Sequence, residues 1–325
     1  MQFSDEAARF NPVATQDDIF NCFRLLLGRL PSRDEWVGHS GRTGERLEDV
    51  VATYINSLEF FNRGLMRPTG KPVALVSLDG FALYASPEDL AVGKHIIDNG
   101  NYEPNVSELF RQTVTKGMQV LDVGANIGFY TMLAGSLVGP TGKVWSVEPN
   151  PENVRMILAS RAENGFNHVA VFQAAAGDHW ETMCIFSDAS NATVAPVSAT
   201  EPSLFPPTVL SLPLDAVLAD NRVDVMKIDV EGAEGSALRG MLRILRRDRP
   251  MIFCEFTPGA LPGMSGMSGK QYLQFLLDLG YEVAVLLDRP VECGRDIDRI
   301  MTCFEKSGLA HIDLLARPHT GAAKA

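Results

Sequence analysis

Apolar positions recur every three or four residues through the first sixty residues, and from residue 118 onward they come in short runs, so the chain reads as two architectures. In the first part Ile19, Phe20, Phe23, Leu26, Leu27 and Leu30 fall at helical spacing. Thr15 with Asp18 makes a capping pair ahead of them, and Pro31 is expected to end the helix. Ser32 and Glu35 form a second capping box. Leu47, Val50, Val51, Tyr54, Ile55 and Leu58 then repeat on one helical face. Residues 15–62 therefore predict a small all-α module of three or four helices within a first domain of residues 1–66.

The second part begins with a linker, Arg67-Pro-Thr-Gly-Lys-Pro72, and a hairpin in which Val73–Leu78 and Phe81–Tyr84 flank the turn Asp79-Gly80. Residues 67–117 are read as linker, hairpin and helical preface to a core of residues 118–325. In that core apolar strands are expected at 118–123, 143–147, 169–173, 223–228, 250–256, 281–287 and 311–316, alternating with helical segments. Such alternation predicts an α/β fold with a mainly parallel seven-stranded sheet covered on both faces. Two segments break the rhythm. Ser187–Thr208, rich in Ser, Thr, Ala and Pro, and Thr257–Gly269 both read as long loops. The second follows the fifth strand, so it is expected to hang over the carboxyl edge of the sheet and either close an acceptor pocket or lie free.

The chemistry concentrates at Val120-Leu-Asp-Val-Gly-Ala-Asn-Ile-Gly128, followed by Glu148 at the end of the next strand. Small residues let a backbone approach a ligand, and an acid at the next strand tip can accept from both hydroxyls of a ribose. A dinucleotide-binding G-x-G-x-x-G read from Gly124 fails twice, at Asn126 and Phe129. The turn instead resembles the Asp-x-Gly-x-Gly-x-Gly of S-adenosylmethionine-dependent methyltransferases at Asp122, Gly124 and Gly128. It departs from that pattern only at Asn126, and Asn is the non-glycine residue that best tolerates a left-handed backbone.

Charge narrows the partners. A formal net charge of −11 argues against a nucleic-acid partner, because there is no cationic excess to neutralise phosphates. The densest basic run, Arg243–Arg249, suits the carboxyl end of a helix. No stretch has the apolar length of a membrane span, and the opening residues lack a signal-peptide core. Cys22, Cys184, Cys254, Cys293 and Cys303 are scattered without a C-x-x-C pair, and the histidines show no metal-binding spacing. A cytoplasmic protein with reduced cysteines and no bound metal is the expectation.

Several further runs stand in order at strand ends. They are Asn101-Tyr102-Glu103-Pro104, Val144–Asn150, Lys227-Ile-Asp-Val-Glu-Gly-Ala-Glu234 and Pro250–Glu255. With Asp122–Tyr130 they closely resemble the FkbM-type methyltransferases over roughly residues 73–290. Leu26–Pro31 with Ser57–Phe60 resembles a helical domain of unknown function found in some bacterial multidomain proteins, which supplies no chemistry. The FkbM resemblance implies a Rossmann-like class I methyltransferase using S-adenosylmethionine, usually on oxygen, with sugar or polyketide hydroxyls among the known acceptors. A glycan or small-molecule acceptor is expected, and the helical module is expected to serve docking or homodimerisation.

Roles follow from the cofactor's parts. Gly124, Ala125 and Asn126 should flank its amino-acid head, within the matched run that also carries Gly128 and Tyr130. Asp122 orients the turn or meets the ammonium through water. Glu148, next to Pro149, is the expected ribose ligand, and adenine is expected against Gln173 and Ala174. Tyr102 and Glu103 are candidates at the acceptor side, where Glu103 folds over the site or anchors the preface. In an extended strand Lys227, Asp229 and Glu231 would share a face. Asp229 is expected to hold cofactor or acceptor and Glu231 to act as general base, with Glu255 as runner-up and Lys227 as a base if burial lowers its pKa. Glu231 and Glu234 have helix N-terminal capping as the alternative role. A nicotinamide oxidoreductase and an inert cofactor-binding scaffold are the competing functions.

Overall fold

The computed structural model describes residues 12–62, 72–188, 191–197 and 207–319. It divides into two compact units, Met1–Lys71 and Pro72–Ala325. Most of the expected 67–72 linker lies outside the described residues.

In the first unit both capping boxes form, Thr15 with Asp18 and Ser32 with Glu35. The helix Gln16–Asn21 passes into a wider turn at Cys22–Leu26 and stops there, short of Pro31, because the chain turns left-handed at Gly28 (φ 64°). Ile19, Phe23, Val50 and Tyr54 make its core, joined by helices Arg33–Ser40, Leu47–Ile55 and Leu58–Asn62. Arg29 binds Glu35 and Glu59 together, tying three segments of the module.

The second unit is built on strands β1 (Ala74–Leu78), β2 (Phe81–Ala85), β3 (Gln119–Val123), β4 (Lys143–Glu148), β5 (Val169–Gln173), β6 (Ala175–Ala176), β7 (Glu181–Asp188), β8 (Asn191–Pro196), β9 (Thr208–Leu212), β10 (Val225–Ile228), β11 (Met251–Phe256), β12 (Tyr281–Leu286), β13 (Val291–Gly294) and β14 (Ile312–Pro318). The central sheet has the order β13-β12-β14-β11-β10-β3-β4-β5. The seven expected strands are all present, but the sheet has eight, because β13 adds an antiparallel edge to β12. β14 also runs against its neighbours β11 and β12, while β11, β10, β3, β4 and β5 are mutually parallel.

Order along this sheet places the site. From β3 the chain winds outward through β4 and β5, then crosses to β10 and winds the other way, so the carboxyl ends of β3 and β10 meet at a topological switch point. Alternation sorts the side chains. Leu121, Val123, Met226 and Ile228 enter the core on one face, whereas Val120, Val225 and Phe253 pack on the other beneath the helix Phe129–Val138 and the β1–β2 hairpin. Asp122 and Lys227 are in register with each other on that second face.

The two expected loops carry regular structure where they are described. In Ser187–Thr208, residues 187–188, 191–196 and 208 belong to the four-stranded sheet β6-β9-β7-β8, whose neighbouring Met183, Ile185 and Val209 pack together; residues 189–190 and 198–206 lie outside the described residues. Thr257–Gly269 contains the helical turn Leu261–Ser265, and the Ser265 hydroxyl bonds both the Gly232 carbonyl and the Gly235 N–H. That ties the segment to the 230–235 turn at the carboxyl edge of the sheet, and its first residue, Thr257, lines the cavity there.

Candidate active site

A cavity of about 450 Å³ opens at the switch point. Its floor is the β3 turn. Gly124 has φ 77°, and a Cβ there would collide with the Asp229 carbonyl, so only glycine lets β3 and β10 close together. Asn126 is left-handed at φ 50°, as its place in the motif requires. Its Oδ1 accepts from the Ile127 N–H (2.7 Å), and its Nδ2 donates to Asn191 of β8 (3.1 Å). The Gly124 and Ala125 amides both donate to the Val147 carbonyl. These residues therefore offer a ligand close approach and not free N–H donors.

The expected residues divide by position. Asp122, Gly124, Ala125, Asn126 and Tyr130 line the cavity, as do Glu148, Pro149 and Ala174. Gly128 does not; its Cα faces Ile157, where it serves packing of the turn's helix. Gln173 is exposed and stands outside the lining; beyond the end of β5 the wall is taken by Ala174, Ala175 and Ala176.

Glu148 closes the β4 end of the cavity. Buried at the end of β4, it accepts from the Asn126 N–H (2.8 Å), the Asn150 N–H (2.9 Å) and Asn153 Nδ2 (3.1 Å). Burial nevertheless pushes its carboxyl up to about 7, opposed by those hydrogen bonds. Asp122 is buried one layer deeper, where Thr131 Oγ1 donates to it at 2.6 Å and lies 2.9 Å from the Ser146 hydroxyl. Desolvation raises it to about 6. Asp122 thus holds strand, turn and helix together, and sequence spacing did not reveal Thr131 and Ser146 as its partners.

The opposite end is a cluster of carboxylates around one cation. Lys227 is 2 % exposed, with Nζ 3.1 Å from Asp229 Oδ2, 3.9 Å from Glu103 Oε2 and 5.1 Å from the centroid of the Tyr130 ring. Burial alone would lower its pKa, but Asp229, Glu103 and Asp313 together hold it well above the ordinary value. Lys227 is thus a fixed ammonium, and the geometry argues against its serving as a base. Glu103, itself left-handed at φ 45° ahead of Pro104, accepts from the Tyr130 hydroxyl (2.8 Å), so the preface is anchored across the cavity wall. Tyr102 beside it also lines the wall.

β10 ends at Ile228, so strand alternation does not carry through to Glu231. Glu231 sits in a left-handed turn (φ 53°), half-buried on the cavity wall, with its carboxyl raised by burial and by Asp229. Glu234 points the other way. Its Oε1 accepts from the Val230 and Gly232 N–H groups (3.1 and 3.2 Å), so it ties the turn that leads into the helix Glu234–Arg239, at whose first position an acid is also favoured. Glu255, on β11, lines the cavity and is pushed up to about 8 by burial and then by Asp229, while Thr257 Oγ1 donates to its Oε1.

His311, Asp313, Thr257, Asn191, Ala192 and Val194 were not legible as site residues. They reach the cavity or its acidic cluster from the last strand and the residue before it, from the segment after β11 and from β8, with no local motif to mark them. Among the described residues no group of three or more His, Cys, Asp or Glu is placed to hold a metal ion, and no helix is long and apolar enough to cross a membrane.

The shape suits an adenosine carrying an amino-acid head. The volume is in the range of small-molecule sites, Ala174–Ala176 offer an apolar wall for a base, and Glu148 Oε2, which accepts from the Asn126 N–H, keeps capacity for a hydroxyl. Gly124 serves the closure of β3 on β10 and lines the cavity with backbone.

A family model matches the core of the chain. Residues 122–283 match the family model described as the Methyltransferase FkbM domain. Over 56 residues, 17% of this chain and 27% of the relative, the sequence is 49% identical to a protein-L-isoaspartate O-methyltransferase from Methanothrix thermoacetophila. Among solved structures the chain is similar to a methyltransferase FkbM from Methylobacillus flagellatus, with 14% identity, 91% of this chain and 58% of that chain covered, and a TM-score of 0.41. It is also similar to an Aeropyrum pernix fibrillarin solved with natively bound S-adenosyl-L-methionine, with 14% identity, 76% and 100% coverage, and a TM-score of 0.39. The chain thus spans about a quarter of the curated relative and 58% of the first of these structures.

Proposed function

We propose that this chain, which belongs to the FkbM methyltransferase family through residues 122–283, methylates a hydroxyl oxygen of a glycan or related small molecule. S-adenosylmethionine is the donor, and when bound it supplies a methyl group on a sulfonium that is already a good leaving group. The observation that carries the reading is a single cavity with Glu148 buried at one end and Asp229, Glu231 and Glu255 at the other.

The protein's own tasks are then alignment and removal of one proton. Glu148 and the Gly124–Asn126 turn hold the nucleoside and amino-acid ends. Lys227 fixes Asp229 and Glu103 in place, and a fixed carboxylate can accept from neighbouring acceptor hydroxyls to orient the one that reacts. Glu255 is preferred to Glu231 as base. This is supported by burial, which pushes its carboxyl up to about 8 and makes it a strong base once ionised, and by the Thr257 hydroxyl, which sets its rotamer. Because the base must be ionised, activity should rise with pH through about 8 and then level.

Thermal-shift titration separates the candidate cofactors. S-adenosylhomocysteine at a hundred times its Kd stabilises by about 2.7 kcal/mol, whereas NAD gives no shift. A shift with NAD and none with S-adenosylhomocysteine would overturn the proposal. Labelled-methyl transfer to oligosaccharide pools then tests the acceptor class. Glu255→Gln should cut turnover by ~10²–10⁴ with donor affinity nearly intact; full activity in that variant removes Glu255 from the role of base.

A further inference from the structure

We infer that His311 is the proton outlet of this site, taking from Glu255 the proton lost by the acceptor and passing it to water; the inference rests on the methyl-transfer reading above. Glu255 lies on β11 directly opposite Asp313 of the antiparallel β14, and His311 stands just before β14 begins. That pairing brings the imidazole to the mouth of the cavity. Glu255 Oε1 is taken by the Thr257 hydroxyl, and its Oε2 lies 3.9 Å from His311 Nε2. Both side chains line the cavity, yet that of Glu255 is 14 % exposed and that of His311 55 %. The pair thus spans the step from a shielded interior to solvent.

The other groups facing Glu255 are poorly suited to this task. Asp229 is bound to Lys227, Lys227 is a buried ammonium with no lone pair to offer, and Asp313 is itself buried beside that ammonium. Glu231 shares the wall, but the charge on Asp229 bears on both it and Glu255, so moving the proton between them leaves it inside the cluster. Imidazole is the side chain that exchanges a proton readily between pH 5 and 8. Closing 3.9 Å to hydrogen-bonding distance asks only a small rotation of an exposed ring, and such contacts are commonly long before the reacting complex forms.

The step balances without a further reactant. The acceptor O–H bond breaks and its electron pair forms the new O–C bond to the methyl group, while the C–S pair stays on sulfur, which becomes a neutral thioether. The proton goes to the Glu255 carboxylate, then to His311 Nε2, then to water. Without the last transfers Glu255 remains protonated and cannot serve the next acceptor.

The test uses the full chain, S-adenosylmethionine with a labelled methyl group, and neutral bacterial oligosaccharides as the acceptor probe, from pH 6 to 9. His311→Ala should bind S-adenosylhomocysteine within about twofold of wild type while turnover falls tenfold or more, toward the lower end of a general acid–base loss. Free imidazole in the buffer should restore turnover. His311→Gln separates relay from support, since an amide can hold Glu255 in place but cannot carry a proton; it should be as slow as the alanine variant. Wild-type turnover in either variant, or a loss that imidazole does not restore, overturns the relay. Absence of S-adenosylhomocysteine binding or of transfer by the wild-type protein instead overturns the parent reading, and the relay with it.

Discussion

The proposed recognition of ribose by Glu148 would make the donor's affinity depend on pH in a calculable way. Burial pushes this carboxyl up to about 7 from an ordinary 4.5, against the bonds from Asn150, Asn126 and Asn153. Between those two values the folded chain keeps a proton that the unfolded chain has lost, so without ligand the fold loses stability as pH rises from about 4.5 through about 7. The displacement corresponds to about 3 kcal/mol at 1.36 kcal/mol per pH unit. Ribose hydroxyls donating to the carboxylate favour its ionised form, so binding should tighten as pH rises toward 7 and level above it. With a value near 7 about 3% of the group is ionised at pH 5.5 and most of it at pH 8, so Kd for S-adenosylhomocysteine should fall about thirtyfold over that interval. Asp122, raised by burial to about 6, titrates nearby, and Glu148→Gln separates the two. That variant keeps the shape, loses charge-assisted bonds worth about 1.5–3 kcal/mol, and should bind about 10- to 150-fold more weakly at pH 8 with a much flatter pH profile. Calorimetric titration of both proteins from pH 5.5 to 8 is the assay. A flat wild-type profile, or wild-type affinity in the variant at pH 8, refutes the assignment.

Two further substitutions probe the scaffold of the site. Gly124→Ala drives a Cβ into the Asp229 carbonyl and should abolish both a cooperative melt of the core and cofactor binding. Gly128→Ala presses only on the Ile157 side chain and should cost about 1–3 kcal/mol for its left-handed backbone (φ 95°), leaving a folded protein; equal melting curves for the two would contradict the geometry. Glu234→Ala leaves the Val230 and Gly232 N–H groups without their acceptor. Its expected cost is about 3 kcal/mol, or roughly 6–12 °C in Tm by calorimetry, and an unchanged Tm would show that these two bonds contribute nothing.

The sequence was most legible where one strand end carries both a period and an acid. Val120–Val123, Lys143–Glu148 and Val225–Ile228 are short apolar runs whose alternation and terminal residues predict sheet and site together. β13 was missed because Val-Glu-Cys-Gly is too short to show a period, and its pairing to β12 is fixed by proximity. The β7–β8–β9 region was missed for another reason. Its Ser, Thr and Ala content reads as loop, while the apolar period of Met183, Ile185 and Val209 becomes visible only once β9 lies against β7.

The acidic end of the cavity shows why side-chain roles lag behind fold. Lys227 could be read as an activated amine, because burial by itself lowers an ammonium's pKa. That reading depends on which charges surround it, and those come from four separate parts of the chain: Glu103, Asp229, Asp313 and the Tyr130 ring. Only sheet order brings them together, since β14 inserts between β11 and β12 and carries Asp313 and His311 back to the switch point. The same insertion sets Glu255 opposite Asp313 and raises its basicity by burying it. A local motif can specify the donor's turn because that turn is contiguous. The proton chemistry proposed for the acceptor is assembled across the sheet: Asp229, Glu231 and Glu255 stand in readable runs, but His311 and Asp313 carry no spacing to read and are assigned by what stands beside them.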